Sequence, residues 1–107
     1  MQLWLDDRRR PPFGWVWAKT AEEAILLLDA GTFDEVSLDH DLGDTTHDPE
    51  WTGYTVLNHI ESRVVWDDSY VAPKIYVHSD NAAGIKKMRL GIENIARLMR
   101  AKFGNET

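Results

Sequence analysis

Three short segments concentrate the side chains capable of chemistry. Asp6-Asp7-Arg8-Arg9-Arg10, Asp39-His40-Asp41 and His78-Ser79-Asp80-Asn81 each follow directly on an apolar run: Leu3-Trp4-Leu5, Val36-Ser37-Leu38 and Ile75-Tyr76-Val77. In an open parallel sheet the buried strands read as apolar runs, and ligands bind in the crevice beyond their carboxyl ends. Side by side, these ends would gather carboxylates, imidazoles, a hydroxyl and an amide next to a run of arginines. That set suits a divalent cation holding a phosphate ester. Asp6, Asp7, Asp39 and Asp41 are the candidate metal ligands, because carboxylates brought together raise one another's pKa unless a cation neutralises them. Oxygen donors without thiolates favour Mg2+, Mn2+ or Ca2+, and a site that also takes phosphate oxygens fits Mg2+ or Mn2+ best.

The spacing assigns further roles. Asp39 and Asp41 are two apart, so persisting strand geometry would turn both carboxylates to one side and His40 to the other. His40 and His78 are candidate proton donors to a leaving oxygen, and Asp39 is a candidate catalytic carboxylate. Arg8, Arg9 and Arg10 would bind the phosphate by charge-assisted contacts, with Ser79 and Asn81 at the start of the last helix completing the cradle. The plain alternative is that the acids cap turns and pair with the arginines, while one of Ser79, Asp80 and Asn81 serves only as a helix N-cap.

These residues need a scaffold of strands alternating with helices. Gln2 to Leu5 reads as a central strand, followed by a charged, proline-containing turn from Asp6 to Gly14. Trp15 to Ala18 has strand character. Thr20-Ala-Glu-Glu predicts a capping box opening a helix that stops at Gly31. Glu35 to Leu38 is the second apolar run; Gly43 to Trp51 reads as a flap-like loop, Thr52 to Ser62 as a helix and Lys74 to Val77 as a strand. Ile85, Met88, Ile92, Ile95 and Met99 form one stripe on a last helix from Ala82 to Ala101. The alternation predicts an α/β fold, a small three-layer and mostly parallel sheet with helices on both faces. One link is short: the residues between Leu5 and Trp15 are fewer than a parallel crossover normally uses, so Trp15 to Ala18 is expected to pair antiparallel or to wrap the edge without a full crossover. Trp4, Trp15 and Trp17 read as core or sheet-face packing, Trp51 as a candidate for stacking on a nucleobase, and His47 and His59 as surface residues.

Composition narrows the classes. The 107 residues predict a single domain. With no Cys, thiolate catalysis, disulfides and Cys-based zinc sites are excluded, and the expected setting is cytoplasmic. No leader or membrane segment is evident. A net charge of −6 argues against broad DNA binding and leaves a small phosphorylated ligand as the expected partner, with homo-oligomerisation open.

The run from Trp15 to Asp41 resembles the middle of a response-regulator receiver domain. More closely, Leu-Trp-Leu-Asp-Asp-Arg-Arg-x-Pro-Pro, Ser-Leu-Asp-His-Asp-Leu-Gly, Thr-Gly-Tyr and Val-His-Ser-x-Asn-Ala-x-Gly together resemble the cyclic-phosphate-processing receiver-like domains, from Leu3 to about Ile95. The resemblance implies a truncated receiver-like (flavodoxin-like) architecture, in which Asp6-Asp7 match the receiver's acidic pair, Asp39 its phospho-acceptor and Ser79 its hydroxyl residue. It also implies a cyclic nucleotide or terminal cyclic phosphate as ligand. Two departures stand out: Arg-Arg-Arg-Pro-Pro replaces the first crossover helix, and no fifth strand with a terminal Lys follows. Asp41, His40 and His78 are extra, and suit turnover better than storage of an aspartyl phosphate.

The expected function is therefore a metal-dependent phosphoesterase acting on a cyclic phosphate or nucleotide phosphodiester. The alternative is a non-catalytic module that sequesters or senses a nucleotide or phosphate. A degenerate receiver working through protein contacts would instead keep its carboxylates apart, with no cavity between them.

Overall fold

The computed structural model describes residues 1–104. Strands β1 (Gln2–Leu5), β2 (Val16–Ala18), β3 (Glu35–Leu38) and β4 (Lys74–Val77) alternate with helices α1 (Ala21–Ala30), α2 (Gly53–Trp66) and α3 (Ala82–Phe103). The strands form one sheet in the order β2-β1-β3-β4, every pair parallel. This is the truncated receiver-like α/β fold that the sequence predicts. Among the described residues no helix is long and apolar enough to cross a membrane.

The register explains where the core lies. Leu3 pairs with Val16 and Val36, and Val36 with Ile75; Leu5 pairs with Ala18 and Leu38, and Leu38 with Val77. Paired residues in parallel strands point to the same face, so these eight apolar side chains make one surface. Leu3, Leu5, Ala18, Val36 and Leu38 are fully buried on it, against Ala24 of α1, Val56, Leu57 and Ile60 of α2, and Met88 of α3. Each such aliphatic side chain contributes roughly 1.5–3 kcal/mol.

The layering departs from the expected helices on both faces. All the helical core residues belong to that single cluster, whereas the opposite face carries Gln2, Trp4, Trp17, Glu35, Ser37, Lys74 and Tyr76, with Glu35 accepting from Gln2 Nε2 and from the Tyr76 hydroxyl. The reason is topological. Right-handed crossovers that step the same way across a sheet lie on the same face, and β2-α1-β3 and β3-α2-β4 both step from the β2 edge toward β4. Only β1 to β2 steps back, and that link holds no helix.

The short link also settles the open question about Trp15 to Ala18. β2 is an edge strand, parallel to β1 and not antiparallel. Residues 6–15 manage the return because side chains hold the loop: Asp6 Oδ1 accepts from the Arg8 and Arg9 N–H groups, each at 2.8 Å, Trp4 Nε1 donates to Arg9 O and Trp17 Nε1 to Asp6 O.

The helix ends follow local chemistry. Thr20 caps α1 by accepting from Glu23 N–H, but Glu23 reaches Lys19 N–H instead of closing the predicted capping box. A box is present at α2, between Thr52 and Thr55, and that helix runs on past Ser62 to Trp66. In α3, Met88 and Ile95 of the predicted stripe are buried, while Ile92 and Met99 pack at its margin.

Candidate functional site

Each strand hands its ladder on by one residue. Asp6 N–H donates to Ala18 O, Asp39 N–H to Leu5 O and His78 N–H to Leu38 O, all at 3.0 Å. Three chemically active residues are thereby fixed at adjacent strand ends. One carboxylate oxygen from each of Asp6, Asp7 and Asp39 can be chosen so that all three lie within 4.8 Å of one another. A cavity of about 310 Å³ opens beside them, lined by Asp6, Arg8, Arg9, Asp39, Asp41, Ser79 and Asp80.

The acids differ in electrostatics. Burial would raise the Asp6 carboxyl, but N–H bonds from Arg9 and Arg8, with His78 alongside, outweigh it and hold it below the usual carboxylate range. Asp39 shows the opposite balance: burial pushes it up, the neighbouring Ser79 hydroxyl pulls it down, and the charge of Asp6 adds to the rise. An uncompensated negative charge at Asp39 is what a bound cation would relieve. Hard oxygen donors in this arrangement fit Mg2+ or Mn2+.

Asp41 lines the cavity but is not a member of the carboxylate trio found among the described residues. β3 ends at Leu38, so the expected alternation does not extend to it. Its Oδ1 lies 2.7 Å from His40 Nδ1, and it accepts from Asn81 Nδ2 at 3.1 Å; the contact with His40 is the main reason its carboxyl is held low. The His40 ring packs on α3 where a Cβ added to Gly84 would stand 2.6 Å from it, and a Cβ on Gly53 would stand 2.0 Å from the backbone oxygen of Asp39. Both glycines are close-approach positions that let helices abut the site.

His78 has both ring nitrogens engaged. Nε2 stands 3.1 Å from Asp6 Oδ2 and Nδ1 2.7 Å from Ser37 Oγ, while the ring lies flat on Trp4 with centroids 3.7 Å apart. Burial lowers its pKa, with Asp6 pulling the other way. Arg9 forms an ion pair with Asp80, which raises its pKa. Arg10 is exposed and outside the cavity lining. Asn81 is the N-cap of α3, its Oδ1 accepting from Gly84 N–H at 2.9 Å, and Ser79 Oγ accepts from Asn81 N–H.

Sequence reasoning missed three contributors. Ser37 and Trp4 brace His78, and Asp80 holds Arg9; the signal available was a lone Ser inside an apolar strand. Trp4, expected in core or sheet-face packing, lies on the helix-free sheet face. Trp51 is already stacked, on His47, with centroids 3.8 Å apart, in a loop organised by Asp44, which accepts from Trp51 N–H and Thr46 N–H. His47 is thus part of a packed cluster, and His59 pairs with Asp29.

The family model described as the cyclic-phosphate processing receiver domain matches residues 1–94. The chain belongs to this family. No curated protein and no solved structure matches it significantly. The match covers all four strands and the carboxylate trio, so the family's description and the site rest on the same part of the chain. Among the described residues the sheet has four strands and none follows α3.

Proposed function

We propose that this domain is a metal-dependent phosphoesterase acting on a cyclic phosphate or nucleotide phosphodiester. The observation that carries the reading is the convergence of the Asp6, Asp7 and Asp39 carboxylates beside a cavity that Asp6 and Asp39 line together with Arg8, Arg9 and Ser79. Asp6, Asp7 and Asp39 would hold Mg2+ or Mn2+. When bound, the cation supplies charge neutralisation at phosphoryl oxygens and a more acidic water. Arg8 and Arg9 neutralise charge on the phosphoryl group, and Ser79 turns its hydroxyl from Asp39 to donate a hydrogen bond to it. Water attacks phosphorus as the P–O bond to the leaving oxygen breaks; alternatively Asp39 displaces that oxygen, in the role of a receiver's phospho-acceptor, and water then hydrolyses the aspartyl phosphate and frees the carboxylate.

The histidines divide the remaining work. With Ser37 and Asp6 on its two nitrogens, His78 acts as a positioning residue. His40 is outside the cavity lining and packs on Gly84, with Nδ1 on Asp41; its Nε2 has no partner among the described residues, and protonation of the leaving alkoxide is assigned to it on the condition that the bound ester reaches past Asp41. The test is turnover of cyclic mono- and dinucleotides with Mg2+ or Mn2+. Metal-dependent ring opening that Asp39→Asn abolishes supports the proposal. Tight uptake with intact ligand recovered by mass spectrometry would replace it with a sequestering or sensing module, and turnover indifferent to Asp39→Asn would remove this site from the chemistry.

A further inference from the structure

We propose that Ser37, which is outside the cavity lining, is a positioning residue for the acidic cluster: its hydroxyl holds His78 in the Nε2–H tautomer, and that N–H fixes the Asp6 carboxylate. The inference rests on the reading that Asp6 helps to hold a cation. Ser37 is one of only two buried polar or charged side chains among the described residues, the other being Asp6, and His78 lies between them.

The hydrogen-bond roles follow from what each group can do. Asp6 Oδ1 already accepts two backbone N–H bonds, so the carboxylate acts as an acceptor and Oδ2 calls for a donor. His78 Nε2 must then carry the proton. A neutral ring in that state presents a lone pair at Nδ1, and the group 2.7 Å away is the Ser37 hydroxyl, which therefore donates. Trp4 closes the remaining freedom, its indole within 7° of parallel to the imidazole. The ring is held at both nitrogens and on one face, and it transmits that order to Asp6. Partners of this kind, one step removed from metal ligands, set ligand orientation, and their loss typically lowers metal affinity by about 10–100-fold.

The experiment combines two readouts on the intact protein. Long-range proton–nitrogen correlation of 15N-histidine protein above neutral pH should show His78 protonated at Nε2 and bare at Nδ1. Ser37→Ala should move the Nδ1 resonance toward that of an unbonded nitrogen. Titration with Mn2+ alone, followed by the loss of the free-ion electron paramagnetic resonance signal, should show Kd raised by up to roughly 10-fold in Ser37→Ala, the lower limit for loss of the His78 contact itself because Ser37 acts one hydrogen bond further out, and largely restored in Ser37→Thr. An Nδ1–H tautomer in the wild type, or wild-type Mn2+ affinity in Ser37→Ala, overturns this inference. Failure of the wild type to bind Mn2+ overturns the metal reading above instead, so the two failures are distinguishable.

Discussion

Removing the charge of Asp39 should stabilise the cation-free protein and abolish its stabilisation by cation. Asp39 has two acidic neighbours, Asp6 and Asp7, with carboxylate oxygens within 4.8 Å. At that distance two unit charges repel by about 0.9 kcal/mol in water-like surroundings and about 3.5 kcal/mol at an effective dielectric of 20. The cavity is open to solvent, which favours the lower end, and the upward shift of Asp39 shows that its charged form is disfavoured in the fold. Asparagine keeps an oxygen that can accept from Ser79. Allowing for solvent screening, Asp39→Asn should gain roughly 1–2 kcal/mol in chelator at low salt, raising Tm by about 5–10 °C for a domain of this size. Added salt should shrink the gap. In excess Mg2+ or Mn2+ the order reverses: the wild type gains about 2.7 kcal/mol at a hundredfold excess over Kd, and the variant gains little. Thermal unfolding followed by circular dichroism in chelator and in cation reads all four states. A variant less stable than wild type in chelator at low salt, or equal shifts by cation in both proteins, would refute the reasoning.

Three other perturbations test neighbouring parts of the argument. Gly84→Ala places a methyl 2.6 Å from the His40 ring, so it should cost a net ~1–2 kcal/mol by urea unfolding, overpacking outweighing the gain in helix propensity, and should cost less in a His40→Ala background, where the ring is gone and only the Cβ contact at 3.0 Å remains; equal effects in both backgrounds would show that the ring is not the obstacle. Bonds from the Trp51 and Thr46 N–H groups hold the Asp44 carboxyl well below its ordinary value of 3.8, so its contribution to stability is present above that pH and lost as pH falls below it. Asp44→Asn should therefore be less stable than wild type at neutral pH, with the difference closing in acid, and a pH-independent difference would contradict this origin. The Arg9–Asp80 pair is exposed, so Arg9→Ala should leave stability within about 1 kcal/mol while weakening phosphate binding measured by calorimetry; unchanged binding would remove Arg9 from the ligand site.

Much of the fold was legible because it depends on short-range pattern. The apolar runs ending at Leu5, Leu38 and Val77, the Thr20 cap and the α3 stripe are local signals, and right-handed crossovers then leave few topologies. The one-sided layering was deducible from strand order but not from alternation alone, since both helical crossovers step the same way. The candidate site was legible as three strand ends, two carrying the acids of the trio and the third His78 and Ser79. What escaped was side-chain aim. Nothing in the spacing of Asp39 and Asp41 reveals that the strand stops at Leu38, or that Asp41 turns toward His40 and Asn81. Likewise a Ser between Val36 and Leu38 reads as a weak strand residue until His78, far along the chain, is placed within 2.7 Å of it.

The departure from an ordinary receiver and the construction of the site are one event. A helix between β1 and β2 would spend the backbone N–H groups of its interior on its own carbonyls and point successive arginines in different directions. The loop from Asp6 to Trp15 instead donates the Arg8 and Arg9 N–H groups to Asp6, which orders the first acid and keeps Arg8 and Arg9 at the cavity beside the strand ends. Trp4 and Trp17 then tie that loop to the sheet face a helix would have covered, through Arg9 O and Asp6 O. The exposed face is therefore partly occupied by the machinery that holds the site, with Trp4 serving the loop through its indole N–H and His78 through its ring. A Trp4→Ala change should consequently disturb both the Arg9 position and the His78 ring, whereas Ser37→Ala disturbs His78 alone. Greater loss of phosphate binding in the former than in the latter, at similar loss of Mn2+ affinity, is the pattern this arrangement requires.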